Sequence, residues 1–294
     1  MPAPPVKEAV VSAVRRAPLP LAAPLVRRRI RRAHANPDAM AVARRQMEFV
    51  VAAARPDADL DDLARRYLEQ MIWRRELRFH PRALTRQQVT GVENLTRVRG
   101  EHGGLILCFL HHGRFDGLFA SLKNAGAPPL TTVAAPILFD PDEAYLKAHR
   151  RLIDLGSTTV PSTIGFQGLR QLVLEGRTLT IAVDMPGSTR VRFLGRDLLG
   201  ASGAARIAHD TGTPLVLVQP TTTDGLSQTI TLSEPLLPQA YPDPVSLLQA
   251  ALDQLEPYVL AWPEAYEWPR AKFTQLGGDG NPIAFQRDPG EPTH

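Results

Sequence analysis

Hydrophobic positions follow two different patterns along the chain, and the change falls near residue 103. Residues 38–54 and 58–79 carry apolar side chains at the three- and four-residue spacing of a helix that packs one face against a core. Beyond them, short apolar runs of strand length alternate with helical stretches. The pattern predicts strands at 104–110, 130–134, 157–160, 178–183 and 214–220, edge or hairpin strands at 189–194 and 228–232, and helices at 115–125, 141–154, 164–175, 202–211 and 244–261. Such alternation is typical of an α/β fold with a mainly parallel central sheet flanked by helices, here with a helical N-terminal region.

The pattern also predicts one domain with a segment of different composition at each end. Residues 38–275 hold the predicted helices and strands and form the single domain. Residues 1–37 are a basic N-terminal arm. Residues 276–294 are rich in Gly, Pro, Asp and Gln, which predicts a disordered tail. Within the last long helix, Pro257 is expected to produce a kink or a break.

Positive charge is concentrated in the first hundred residues. They hold nineteen Arg and one Lys against ten acidic residues, so they carry +10 and the rest of the chain −6 of the formal net charge of +4. No acidic residue lies between Ala9 and Pro37, where apolar residues alternate with seven arginines: Arg15, Arg16, Arg27, Arg28, Arg29, Arg31 and Arg32. We expect this short, proline-broken amphipathic segment to bind an anionic membrane surface, each basic residue contributing about 1 kcal/mol. A solvated basic arm is the alternative. Nucleic-acid binding is not expected, because no aromatic residues are interleaved with the arginines.

The remaining composition favours a cytoplasmic protein that is peripheral on the inner face of the cell membrane. The single cysteine, Cys108, excludes an intramolecular disulfide and is expected to be a buried thiol inside a strand. The chain lacks an apolar run of about 18 to 20 residues, so no transmembrane helix is predicted. A signal peptide is not expected, because Arg15, Arg16 and several prolines interrupt the apolar residues near the N-terminus.

The first predicted strand runs directly into a polar turn that holds two histidines and an aspartate, His111-His-Gly-Arg-Phe-Asp116. On one continuous strand, His111 and Asp116 would lie roughly 16 Å apart on opposite faces, and on one helix they would diverge by about 140°. They can meet only in a strand–turn–helix arrangement, with Gly113 at the turn and Asp116 in the first turn of the helix. A histidine held by a carboxylate at the end of a strand predicts a general base and an acyl-transfer site.

The motif resembles the His-x4-Asp signature of the lysophospholipid acyltransferase superfamily, and its fuller string is similar to that of the lipid A lauroyl/myristoyl acyltransferase branch. The resemblance extends in consistent order over roughly residues 58–273. Its further blocks are Val89-Thr-Gly-Val-Glu-Asn-Leu95, Leu174-Glu-Gly-Arg-Thr-Leu-Thr-Ile-Ala-Val-Asp184, Val191-Arg-Phe-Leu-Gly-Arg196 with the glycine-opened stretch 200–208, and Trp262-Pro-Glu-Ala-Tyr-Glu-Trp268. Two features depart from the branch: His112 replaces an aromatic or aliphatic residue, and the usual N-terminal membrane-spanning helix is not predicted.

The resemblance implies a glycerol-3-phosphate acyltransferase-like fold and transfer of a fatty acyl group from an acyl-carrier-protein or coenzyme A thioester to a hydroxyl of a membrane lipid or glycolipid. His111 would be the general base, and Asp116 would orient its ring. No acyl-enzyme is needed, because the thioester is already activated, and neither a metal nor a cofactor is expected. Other candidates for substrate binding are the backbone around Gly113, the turn residue Asp184, and arginines suited to phosphate: Arg150, Arg151, Arg190 and Arg192.

Other interpretations of the motif stay open. The string also satisfies the His-His-x3-Asp-Gly pattern of condensation domains and chloramphenicol-acetyltransferase-like enzymes, in which His112 would be the base. In a different class, both histidines with Asp116 and Asp184 would be the metal ligands of a hydrolase, although their spacing matches no metal motif. A non-catalytic lipid-binding relative is the third alternative.

Overall fold

The structure, a computed structural model, describes residues 18–222 and 227–283. Its N-terminal part is helical and consists of α1 Leu19–His34, α2 Pro37–Val51, α3 Leu60–Leu77 and the short α4 Pro81–Leu84. Capping residues determine where α2 and α3 begin, because the side chains of Asn36 and Asp59 accept hydrogen bonds from the first backbone N–H groups of these helices. The remaining helices are α5 Val92–His102, α6 Leu118–Asn124, α7 Ala144–Asp154, α8 Gly165–Leu174, α9 Gly203–Thr211, α10 Pro244–Ala261 and α11 Pro269–Lys272.

The strands form a large sheet and a small one. In chain order they are β1 Gln88–Thr90, β2 Leu105–Phe109, β3 Leu130–Ala134, β4 Ser157–Pro161, β5 Thr178–Ala182, β6 Pro186–Phe193, β7 Arg196–Gly200, β8 Leu215–Thr221, β9 Thr229–Leu232 and β10 Thr274–Gln275. The seven-stranded sheet has the order β1-β9-β8-β2-β5-β3-β4 and is parallel except between β8 and β9. The three-stranded antiparallel sheet has the order β10-β7-β6.

Helices cover both faces of the large sheet, which is why its central strand is apolar throughout. All five residues of β2 are buried, and successive side chains point to opposite faces. Ile106 and Cys108 join a core that includes residues of α2, α3, α9 and α10. Leu105, Leu107 and Phe109 join a second core that includes residues of α5, α6 and α7. The predicted α/β class with a mainly parallel central sheet flanked by helices is confirmed.

The N-terminal arm differs from its prediction as a proline-broken segment. Helix α1 continues through Pro24, and α10 likewise continues through Pro257 as one helix. The apolar stripe Ala22, Val26 and Ile30 of α1 is buried against the rest of the protein. Most of the apolar face that was predicted to bind a membrane therefore packs inside the protein. Of its leucines, Leu21 and Leu25 remain exposed, and arginines surround them.

Parts of both predicted terminal segments lie outside the described residues, namely Arg15 and Arg16 of the arm and residues 284–294 of the tail. The described start of that tail is ordered by a bridge between Leu276 and Pro282 and by a hydrogen bond from the Ile283 amide to the Gln275 carbonyl. None of the helices described combines the length and the apolar character that a membrane span requires.

Candidate active site

The chemical centre of the site forms where β2 and β5 end side by side. In the parallel register of these strands, Phe109 lies opposite Ala182. His111 and Asp184 each lie two residues beyond that pair, so the two side chains meet at the carboxyl edge of the sheet. Nδ1 of His111 lies 2.8 Å from Oδ1 of Asp184, and the His111 amide donates to Oδ2 at 2.8 Å. Strand register therefore assembles this pair across 73 positions of sequence.

The charge of Asp184 determines which nitrogen of His111 is free to act. Burial raises the pKa of the fully buried Asp184, but attraction to the His111 ring and the hydrogen bonds from His111 outweigh it, so the pKa is lowered to about 2. Asp184 is thus a carboxylate at neutral pH and can only accept hydrogen bonds. Because the Asp184 carboxylate can only accept, Nδ1 of His111 is the donor in their contact.

His111 forms part of the wall of a cavity of about 770 Å³. The cavity lies among α2, α3, α7 and the turn after β3, and the side chain of His111 is 20% exposed. Apolar side chains form much of the wall: Ala39, Val42, Leu68, Met71, Ile72, Ile137, Leu138 and Leu146. Cationic side chains outnumber acidic ones around it: Arg45, Arg74, Arg75, Arg78 and Lys272 against Asp38 and Glu267. Such a cavity suits a ligand that is both apolar and anionic.

Asp116 does not take the place that its spacing from His111 predicts. Its carboxylate lies 2.7 Å from Nε of Arg78, 2.7 Å from Nδ1 of His149 and 3.7 Å from Nε of Arg74. Burial raises the pKa of Asp116, but Arg78 and His149 hold it well below its usual range. The predicted pairing of His111 with Asp116 is corrected here, because the turn after Gly113 directs Asp116 towards α3 and α7 while the imidazole faces the neighbouring strand end.

Gly113 keeps the turn in place instead of offering a free amide to a substrate. Its φ of +66° is in the left-handed region, and a Cβ there would lie 2.3 Å from Oε1 of Gln228. Its amide donates to the Ala265 carbonyl at 3.2 Å, and its carbonyl accepts a hydrogen bond from Arg74. Arg74 also donates to the Ala265 carbonyl at 2.8 Å. Arg74 therefore ties the histidine turn to the C-terminal segment.

His112 lies in the packed interior and is not part of the cavity wall. Its Nε2 lies 2.8 Å from the Trp262 carbonyl, and its ring packs edge-on against Trp262 and Tyr266. Burial lowers the pKa of His112 to about 4, so the ring is neutral at pH 7. Since a carbonyl can only accept, Nε2 is the donor. His111 is therefore exposed to the cavity, whereas His112 is not.

The arginines predicted to bind phosphate lie elsewhere. Arg150 binds Asp154 and the Leu138 carbonyl, and its guanidinium stacks on Phe139. Arg190 and Arg192 are exposed on β6, outside the cavity wall. Arg151 is exposed on α7 and is also absent from that wall. The positions of these arginines in the sequence did not show which face of each helix or strand lines the cavity.

The residues that the sequence pattern missed come from α3, α7 and the C-terminal segment. They are Arg74, Arg78, His149, Glu267 and Lys272, all of which contribute to the cavity wall. Oε1 of Glu267 lies 3.5 Å from Nη2 of Arg78, and its amide donates to the His111 carbonyl. A usable signal was present on α3: Arg74 and Arg78 are one helical turn apart on the face that carries Tyr67 and Met71 into the interior.

The described residues contain no group of three His, Cys, Asp or Glu side chains arranged to hold a metal ion. The site instead combines an imidazole, oriented by a buried carboxylate at the carboxyl edge of a parallel sheet, with a largely apolar cavity. This combination defines the candidate active site of an enzyme.

Comparison with protein families identifies the class of enzyme to which the chain belongs. Residues 13–275 match the family described as bacterial lipid A biosynthesis acyltransferase. The chain belongs to this family and is an acyltransferase of lipid biosynthesis, as the sequence resemblance predicted.

A comparison with solved structures finds the 1-acyl-sn-glycerophosphate (LPA) acyltransferase PlsC from Thermotoga maritima. It shares 13% sequence identity, and the alignment covers 73% of this chain and 92% of that chain with a TM-score of 0.41. A comparison with curated proteins finds no match.

Proposed function

We propose that this acyltransferase moves a fatty acyl group from an acyl-carrier-protein or coenzyme A thioester to a hydroxyl of a membrane lipid or glycolipid. His111 is the general base, and Asp184 is the carboxylate that orients it. The observation that carries the proposal is the 2.8 Å contact between His111 and Asp184 at the wall of the 770 Å³ cavity.

The proposed reaction needs no covalent enzyme intermediate. Nε2 of His111 takes the proton from the acceptor hydroxyl as its oxygen attacks the thioester carbonyl, and the departing thiolate later receives that proton. General-base assistance of this kind contributes about 10²- to 10⁴-fold. Asp184 holds the ring in the productive tautomer and stabilises the imidazolium that forms. Asp116 contributes indirectly in this proposal, because it fixes Arg78 and His149 at the cavity wall.

The cavity supports a substrate with an acyl chain and a negative charge. Its apolar wall accommodates hydrocarbon, and its excess of cationic side chains favours a phosphate. Arg75 replaces Arg150, Arg190 and Arg192 as the proposed phosphate contact, since it lies at the cavity with its guanidinium over the Tyr145 ring, 5.1 Å from the ring centroid. A lipid phosphate and the phosphates of the donor both have the required chemistry.

The same proposal places the enzyme on the inner face of the cell membrane as a peripheral protein. On α1, Leu21 and Leu25 are exposed beside several exposed arginines. Ile137 and Phe139 are exposed next to the cavity, and Ile137 forms part of its wall. Exposed apolar and basic side chains on elements that border the cavity suit an anionic bilayer from which a lipid acceptor enters.

The experiment uses purified protein, palmitoyl-CoA or palmitoyl acyl-carrier-protein, and vesicles of total cell lipid, with acylated products read by mass spectrometry. We expect His111→Ala and Asp184→Asn each to lower the rate at least about 10²-fold with the fold intact by circular dichroism, because each removes base catalysis. His209→Ala is the matched control, since His209 is exposed on α9 outside the cavity wall. Wild-type turnover by His111→Ala would contradict the proposal.

A further inference from the structure

Lys272 is a buried cation at the cavity wall without a direct partner. The residue is 1% exposed, ends α11 and lines the same cavity as His111. Among the described residues, its ammonium forms no hydrogen bond and no ion pair within 4 Å. A buried charge without a hydrogen-bonded partner is costly, so an ammonium in the wall of this cavity favours an anionic ligand that binds it.

The backbone amides of the His111 turn and the guanidinium groups of Arg74 and Arg78 already donate to the protein. The amides of His111, Gly113 and Arg114 donate to Asp184, Ala265 and Gln228. The guanidinium of Arg74 donates to the Gly113 and Ala265 carbonyls, and that of Arg78 to Asp116 and Glu267. An acyl-transfer site also needs a donor for the negative charge that develops on the carbonyl oxygen.

We propose that Lys272 is a catalytic residue whose ammonium donates a hydrogen bond to the oxyanion formed on the thioester carbonyl. The inference rests on the proposed acyl transfer and adds the group that stabilises its intermediate.

The step balances without any further reactant. As the acceptor oxygen bonds to the carbonyl carbon, His111 takes its proton and the π electron pair moves to the carbonyl oxygen. Lys272 stabilises that oxyanion and keeps its own proton. When the electron pair returns, the carbon–sulfur bond breaks, and the thiolate takes the proton from His111. The ester and the free thiol leave an unchanged enzyme.

The charges around Lys272 suit this role. Burial lowers the pKa of Lys272, and Arg74 and Arg78 lower it further, whereas the carboxylates of Asp184 and Glu267 oppose the decrease and favour the ammonium. An ammonium that is a stronger acid than a solvated lysine is also a stronger donor to a developing negative charge. Because the ammonium is buried, water screens its charge less than it would at the surface, and its interaction with the oxyanion is stronger.

The test measures kcat and KM for palmitoyl-CoA with total-lipid vesicles as acceptor. We expect Lys272→Met to lower kcat by about 10² to 10³-fold, the usual loss for one oxyanion donor, with KM changed by less than about threefold. Lys272→Arg keeps charge and donors, so it should recover part of the loss. Lys147→Met is the control for charge removal, because Lys147 is exposed on α7 and outside the cavity wall.

The pH profile separates this role from an indirect one. If Lys272 contacts the oxyanion, the Met variant has a lower plateau of kcat, whatever the position of its acid limb, because the lost charge also acts on Asp184. A recovered plateau with a shifted acid limb would mean that Lys272 acts only through the Asp184–His111 pair, which would overturn the proposal.

Lys272→Cys keeps the proposal testable if the Met variant does not fold. Alkylation of the introduced thiol with bromoethylamine recreates an ammonium of similar length, and burial, which raises the pKa of Cys108 to about 12, protects the native thiol. We expect alkylation to raise kcat at least about tenfold, and methylthiolation, which adds no charge, to restore nothing. Equal recovery by both reagents, or no loss in any Lys272 variant, would reject the role of Lys272 alone. A wild-type enzyme without transfer, or an active His111→Ala, would instead reject the proposed function.

Discussion

A histidine is well prepared to act as a base when a partner fixes one ring nitrogen and the ring is open to a cavity. His111 contacts Asp184 at the cavity wall, whereas His112 places its Nε2 against the Trp262 carbonyl inside the core. The adjacent histidines therefore have opposite environments, which result from the alternation of side chains at the end of β2. Sequence reasoning located the reactive turn but could not choose between them, since burial is a property of the packed chain.

The roles of the two histidines predict different outcomes of substitution. His112→Phe should keep acyl transfer within about threefold, because a similar aromatic ring fills the space against Trp262 and Tyr266. In the wild type, His112 stays neutral in the folded protein down to about pH 4 but binds a proton below about pH 6.5 in the unfolded chain, so the free energy of unfolding falls as the pH drops below about 6.5. Because phenylalanine does not titrate, the variant should lose this part of the decrease in stability. Chemical denaturation at pH 7 and pH 5, with the transfer assay, checks both. A loss of activity comparable to that of His111→Ala would show His112 to be the base.

The same limit of sequence reasoning applies to the carboxylate. Asp116 was the nearest acid in sequence, and only the strand order β2-β5 shows that Asp184 is the nearest in space. Periodicity identifies strands but not their neighbours, so the sequence could indicate Asp184 as a turn residue but could not assign it to His111, 73 positions away.

At the level of elements, α1 shows how packing redefines a sequence pattern. Its stripe of apolar residues and its arginines predicted a membrane segment, yet Ala22, Val26 and Ile30 pack on the protein, where Arg29 also binds Glu76. What remains on the surface is mainly charge. Membrane attachment through α1 should therefore depend on electrostatics more than on insertion.

Vesicle binding tests that role of α1. We expect Arg27→Gln with Arg28→Gln to weaken binding to vesicles containing anionic phospholipid by about tenfold or more at low salt, because two exposed charges near the surface are lost. Binding of the wild type should also weaken as salt is added. Arg190→Gln with Arg192→Gln removes equal charge from β6 and should leave binding unchanged. Co-sedimentation measures all three proteins. Salt-independent binding, or equal losses in both double variants, would argue against docking through α1.

For the whole molecule, the site concentrates buried charge between the carboxyl edge of the large sheet and the N-terminal helices. Asp116, Glu267 and Asp184 are carboxylates whose pKa values are lowered by neighbouring cations and hydrogen bonds after burial has raised them. The fold class, most elements and the position of the site at the end of the strand before His111 followed from the sequence. The network of buried charges could not be predicted, because its members come from four separated segments that only the complete fold brings together.

Acid stability reports on that network. Because the pKa of Asp184 is lowered from 3.8 to about 2 on folding, its contribution is complete above about pH 4 and is lost as the pH falls through 2. The corresponding free energy is about 2 kcal/mol. Asp184→Asn should therefore be less stable than wild type at pH 7 and show a flatter decline between pH 4 and 2. Urea unfolding across this range measures it. Parallel curves for the two proteins would mean that folding does not change the pKa of Asp184, which would contradict the lowered value.

The equal offset of His111 and Asp184 from the paired residues Phe109 and Ala182 has a consequence for how this enzyme can diverge. Under the proposed mechanism, gain or loss of one residue in either segment would turn its side chain to the opposite side of the pleat and abolish transfer. The proposed mechanism therefore tolerates exchanges around the cavity and longer distant loops, but it does not tolerate a change in the number of residues between either strand and its side chain.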